Sequence, residues 1–198
     1  MATTISGTAG VTFPAGGLGN PAGAVVGTTD TQTLTNKTIQ GGAITSGTAV
    51  ASTSGTAIDF TSIPSWVKRI TVMYSGVSTN GTSNYLVQIG SGSVTGSGYA
   101  SGSFSVDGAN AAGISTSTAG FLTARVATAA ALFTGSIVIS NITGNTWVES
   151  GSLINISAGW GTTSTGSLAL AGVLDRVRIT TANGTDTFDA GSINILYE

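Results

Sequence analysis

The sequence predicts an all-β domain, a sandwich or a barrel, behind an extended N-terminal segment, and three observations carry the prediction. Apolar residues recur at alternate positions in short runs, and Gly, Asn, Asp and Ser separate those runs. Residues 1–54 hold too few large apolar side chains to offset their own ordering entropy.

The first of these elements is residues 1–54. They are mostly Gly, Ala, Thr and Ser, include Pro14 and Pro21, and carry only two charged side chains, Asp30 and Lys37. Leu34, Ile39 and Ile44 recur there at a spacing that fits neither a helix nor a strand. A lone chain cannot bury that pattern, so the segment is expected to order only against other copies or another protein.

From Gly55 the apolar density rises, and 55–198 reads as the folded domain. Strands are expected over Ala57 to Phe60, Val67 to Ser75, Tyr85 to Ile89, Gly98 to Val106, Phe121 to Ala127, Gly135 to Ile142, Trp147 to Ile156, Gly172 to Thr181 and Ser192 to Tyr197. Two alternate cleanly: Ile70, Val72 and Tyr74 share one face of their strand, as do Ile193, Ile195 and Tyr197 of the last. Asn80-Gly81, Asp107-Gly108 and Asn183-Gly184 supply residues tolerant of positive φ and read as hairpins or tight loops. Ala124 to Phe133 has the highest helix propensity but a weak amphipathic pattern, so a helical turn competes with strand there. The last strand runs to Glu198, which predicts a C-terminus tied into the sheet.

Composition excludes whole classes of chemistry. Charged residues make up 7%, against about 25% in an ordinary soluble domain. With six basic residues and a net charge of -2, little affinity can come from counterion release, which argues against nucleic-acid binding. The absence of His and Cys removes disulfides, thiol nucleophiles, imidazole bases and the usual zinc ligands. Mean hydropathy is +0.35, yet it comes from scattered residues, with no continuous run of about 18 to cross a membrane as a helix. Met1 to Gly7 lacks the basic and apolar regions of a secretory signal, so the chain is expected to be made in the cytoplasm and to leave, if it leaves, by release in an assembled particle.

Few residues offer themselves as a site. Asp186 and Asp189 are the only close pair of acids, and their Asn- and Gly-rich setting reads first as a polar turn, ahead of a cation site or a glycosidase pair. No enzymatic activity, cofactor or metal is expected. Aromatic faces stack on sugars, and Trp160 and Tyr99, each flanked by glycine, are the candidates for glycan contact; core or subunit-interface packing is the competing reading and takes precedence for both. Trp66 and Trp147 read as structural. Arg176 and Arg178 are expected on a solvated face, with pairing to Asp175 or Asp189 of a neighbouring subunit as the sharper alternative. The run Gly90 to Gly96 reads as flexible loop, not a phosphate cradle.

Three stretches carry a family resemblance. Thr31-Gln32-Thr33-Leu34-Thr35-Asn36-Lys37-Thr38-Ile39 resembles a segment found in fibre and other structural proteins of tailed bacteriophages. Asp59 to Val72 (DFTSIPSWVKRITV) and Asn183 to Glu198 (NGTDTFDAGSINILYE) are longer and similar to the globular part of such fibres. The resemblance implies a virion protein, typically a homotrimer, attached to the particle by its N-terminal part and projecting a β domain. A threefold interlock would bury Leu34, Ile39 and Ile44 around one axis. The expectation is therefore an antiparallel, jelly-roll-like β-sandwich over 55–198 behind a virion-attachment and trimerisation segment over 1–54. A tail fibre that holds or forms the host-contacting tip ranks first, and a head fibre or capsid decoration protein second. A lectin-like adhesin and a polysaccharide depolymerase follow; the missing signal speaks against the former, and sparse acids and short length against the latter.

Overall fold

Alternation and turn chemistry both act where the chain was expected to be β. In the strand Arg69–Thr79, Ile70, Val72 and Tyr74 are buried while Arg69 and Ser75 stay exposed, because a pleated backbone sends successive side chains to opposite faces. The computed structural model describes residues 44–106 and 112–198, plus the backbone of two short strands, β1 (Ile5–Ser6) and β2 (Gly10–Val11), that pair with each other. The chain forms two units, Met1–Gly41 and Gly42–Glu198. The second holds β3 (Thr45–Ser46), β4 (Val50–Ala51), β5 (Ala57–Thr61), β6 (Arg69–Thr79), β7 (Tyr85–Ser91), β8 (Ser93–Val94), β9 (Ala100–Val106) and β10 (Ala112–Ser117). It continues with β11 (Phe121–Ala124), β12 (Phe133–Thr143), β13 (Thr146–Asn155), β14 (Trp160–Ala169), β15 (Arg176–Thr181) and β16 (Phe188–Tyr197).

All pairings are antiparallel. The larger sheet runs β10-β9-β14-β13-β12-β6-β16, with β3 and β4 both on the outer edge of β16; the smaller runs β11-β7-β15-β5, with β8 folded back on β7. Treat β3 and β4 as one broken strand and set aside the short β8 and the hairpins β9–β10 and β13–β14. Eight strands then remain, ordered first-eighth-third-sixth in one sheet and second-seventh-fourth-fifth in the other. That order is the jelly roll, two Greek keys closed against each other. The two hairpins lengthen only the larger sheet, beyond β12.

The core lies between the sheets. Val72, Ile137, Ile139 and Ile195 face Val87, Ile89, Val177 and Ile179, all within 2% of complete burial; each such side chain contributes about 1.5–3 kcal/mol on leaving water. Tyr85 meets Phe133 edge-on with centroids 5.3 Å apart and leans on Phe188 at 6.2 Å, closing one end of the core. Phe121 of the smaller sheet packs down on Gly166, where an added Cβ would stand 2.8 Å from its ring.

Several expectations change. Residues 45–51 are not free appendage: β3 and β4 hydrogen-bond along β16, so the compact unit begins at Gly42 where Gly55 was expected. Leu34 and Ile39 lie outside the described residues, as does Asp107-Gly108. No helix forms at Ala124 to Phe133; β11 ends at Ala124 and a loop follows in which Ala130 takes φ 58°. The strand expected from Gly172 starts at Arg176. Asn80-Gly81 and Asn183-Gly184 are tight loops as expected, yet neither makes a hairpin, because each carries the chain from one sheet to the other. The run from Gly90 holds the β7–β8 turn at Gly92. Glu198 is tied in: its carbonyl accepts from Lys68 N at 2.7 Å and Arg69 N at 2.9 Å.

Candidate functional site

The sandwich has two ends of different chemistry, and the loop between β5 and β6 builds the first. Ile63 is buried and donates its N–H to Asp175 O at 3.0 Å; Val67 is buried and donates to Pro64 O at 3.1 Å. Held at both points, the turn Pro64-Ser65-Trp66 swings Trp66 outward, 52% exposed. Ser62, where the loop leaves β5, takes φ 61°, a left-handed conformation unusual for a residue other than glycine.

Around Trp66 the surface is partly aromatic and partly charged. Its ring stands 6.0 Å from that of Tyr197 at 49°, and Arg69 pairs with Glu198 alongside. Tyr197 lines two clefts. One of about 120 Å³ is bounded by Ile44, Arg69, Thr71, Leu196 and Glu198; the other, about 270 Å³, opens between the sheet edges and includes Val50, Asp59, Phe60 and Ser62. Asn141 N donates to Lys68 O at 2.8 Å, which brings exposed Ile142 to the same end. Ile44, proposed from its spacing as an axial residue, is 62% exposed where the chain enters the sandwich.

The opposite end is polar. Asp186 accepts from Ser83 N at 2.9 Å and Asn183 Nδ2 at 2.6 Å, and Asn80 Oδ1 accepts from Thr187 N at 2.9 Å. These bonds tie the β6–β7 and β15–β16 loops together. Asp189, at the start of β16, accepts instead from Ser78 Oγ, so each acid of the close pair has its own donor and only Asp186 lies in the polar turn. Among the described residues no three potential metal ligands converge.

Both glycan candidates are interior. Tyr99 is 2% exposed; its hydroxyl donates to Thr95 O at 3.0 Å and accepts from Ile89 N at 2.8 Å, and burial pushes its pKa up to about 12. Trp160 opens β14 on the inward face, its ring 6.5 Å from Phe133. Gly159 makes the turn before it without uncovering the indole. Trp66, read as structural, is the exposed tryptophan, because a surface turn holds it and no strand face turns it inward.

In comparisons with protein-family models, curated proteins and solved structures, nothing matches the chain. Its chemistry rests on its own residues.

Arg178 makes two hydrogen bonds to Asp59, at 2.7 and 2.8 Å, directly across β15–β5, and Arg176 pairs with its neighbour Asp175 at 2.7 Å. Both arginines are thus paired within the chain. The Arg176 guanidinium holds the Asp175 carboxyl below its usual range, and the carboxylates raise both arginines.

The least expected ionisable group is Glu149, 1% exposed on the inward face of β13. Its Oε1 accepts from Ser164 Oγ at 2.7 Å, while Oε2 finds no protein partner. Burial raises its pKa from 4.5 to about 7, partly offset by the serine. Its parity with Trp147 and Leu153 is the sequence signal that places it inward.

Proposed function

We propose that this chain is a structural component of a bacteriophage virion, a trimeric tail fibre protein that attaches by its N-terminal segment and projects the jelly roll outward. The observation that carries the reading is where the resembling stretches lie. Asp59 to Val72 and Asn183 to Glu198, more than a hundred residues apart in sequence, are neighbours in space: β6 pairs with β16 along most of its length, and Arg69 pairs with Glu198. Trp66 to Val72 of the first and Ile195 to Glu198 of the second meet at the end at which Ile44 enters, the place where an attached segment would join a projecting domain. Jelly rolls recur in viral capsid proteins and lectins, which agrees with the reading at the level of fold alone.

In this reading Leu34, Ile39 and Ile44 of three chains pack about one axis, no cofactor or metal is used, and no reaction is catalysed. A head fibre or capsid decoration protein would use the same architecture. Sedimentation of the full chain is expected to give a trimer that Leu34→Asp with Ile39→Asp dissociates, and gold-labelled antibody is expected to decorate particle tails. A monomeric wild-type chain would count against the trimer, and unlabelled particles against the virion role.

One observation favours glycan contact as a second reading: the exposed Trp66 indole beside Tyr197 and the Arg69–Glu198 pair offers a stacking face with polar groups at its rim. Trp147 and Trp160 are buried, so quenching of tryptophan fluorescence by host polysaccharide, abolished in Trp66→Ala, would support it. Unchanged fluorescence across host polysaccharides would reject it.

A further inference from the structure

The hairpin β9–β10 and the middle of β14 are patterned inside out. On β9, Ser101, Ser103 and Ser105 point inward and are buried, while Phe104 points outward and is 46% exposed. On β14, Thr162 and Ser164 are buried between Trp160 and Leu168 at the strand's two ends. Arg125 reaches across from the end of β11 to donate to Ser105 Oγ at 2.9 Å, covering the inward side of the hairpin with a charged group. Outward, Ile114 stands directly opposite Phe104 and is 78% exposed, and Ile154 is 48% exposed. Exposed Phe104, Ile114 and Ile154 over buried serines and threonines are the reverse of what a free domain needs.

That outward face has relief. Gly161 sits between Val106 and Ile154 in register, and a Cβ there would meet nothing within 4 Å, so a slot opens between the two side chains. Clefts of about 420 and 310 Å³ flank Phe104 on its two sides. Protruding Phe104 and Ile114 and the slots that could receive them lie on one surface.

We propose that this face, outward on β10, β9, β14 and β13, is where a second copy of the chain packs. Three features select that occupant. Every outward residue of these strands and of β12 is uncharged, whereas an ordinary protein surface, about a quarter charged, would have to desolvate charges with nothing to pair them. Another copy brings the same uncharged face. Knobs and slots on one patch permit the reciprocal contact of identical subunits. β10 ends the sheet as Ala-Gly-Ile-Ser-Thr-Ser, without the charge, proline or bulge that usually guards an edge strand. The contact is separate from the N-terminal association proposed above and stands or falls without it.

The chain contains no cysteine, so a single introduced thiol reports on this face alone. In full-length Ile114→Cys and, separately, Ile154→Cys, the thiol is expected to react with a maleimide at least about tenfold more slowly than in Thr61→Cys, an exposed position on the smaller sheet. Adding Phe104→Asp is expected to restore the fast rate with an unchanged far-UV spectrum. Sedimentation of the same samples supplies the mass. Thiols that react at the control rate overturn the proposal, as does protection that survives Phe104→Asp. Protection in a species of monomer mass also overturns it, since the chain's own residues would then be the cover.

Discussion

The larger sheet is two different structures joined at β12. From β16 through β6 to β12 its inward positions are Ile195, Val72, Ile137 and Ile139, and the smaller sheet lies over them. From β13 through β14 to β9 the inward positions include Glu149, Ser164, Thr162 and Ser103, roofed by β11 and Arg125. The backbone ladder runs through both halves without a break. Hydrogen-bonded strands can therefore continue past the hydrophobic core that nucleates them, and what each face displays depends on what covers it.

Substitutions can test how far the halves differ, and the largest effect is expected in the first. Phe133→Ala, at the centre of the aromatic cluster, should cost about 3–5 kcal/mol in urea unfolding, whereas Phe104→Ala on the outward face should leave monomer stability within about 0.5 kcal/mol. Equal losses would dissolve the contrast.

Glu149 tests the second half by pH. Its folded pKa of about 7 lies above its ordinary 4.5, so the folded state holds the proton more tightly. The resulting stability is fully present below 4.5 and is lost as pH rises through 7. Glu149→Gln should therefore be more stable than wild type at pH 8, on the order of 2 kcal/mol, with little difference at pH 4.5. Thermal melts at both values read this, and a variant less stable at pH 8 would remove the carboxylate from the account.

Ser101 joins the halves to the roof, accepting from Leu122 N at 2.9 Å and donating to Thr165 O at 3.3 Å. Ser101→Ala strands a buried amide and should cost about 1–3 kcal/mol. The smallest effect belongs to Asp59→Asn. The Asp59–Arg178 pair is more than a third exposed on both sides, so its loss should cost less than about 1 kcal/mol, shrinking further in high salt.

Much of the first half was legible in the sequence, and much of the second was not. Ile70, Val72 and Tyr74, like Ile193, Ile195 and Tyr197, recur at every second position and named their own strands. Trp160–Ala169 and Ala112–Ser117 went unread because their inward positions are mostly Thr, Ser or Gly, so no apolar period marks them. Trp66, read as structural, is exposed, and Trp160, a candidate for glycan contact for which packing took precedence, is buried. Flanking glycines describe the backbone's freedom, while exposure depends on which element later lies against the ring.

By itself the sequence determined an all-β domain, an N-terminal stretch poor in large apolar side chains, and a set of excluded chemistries, because alternation, turn residues and missing side-chain types are local properties. Only the tertiary structure decided that the sandwich is a jelly roll extended by two hairpins, that Trp66 is exposed while Trp160 is enclosed, and that Glu149 is buried. Those outcomes depend on which of a strand's two faces is covered. Alternation separates the faces, and the packing of distant segments chooses between them.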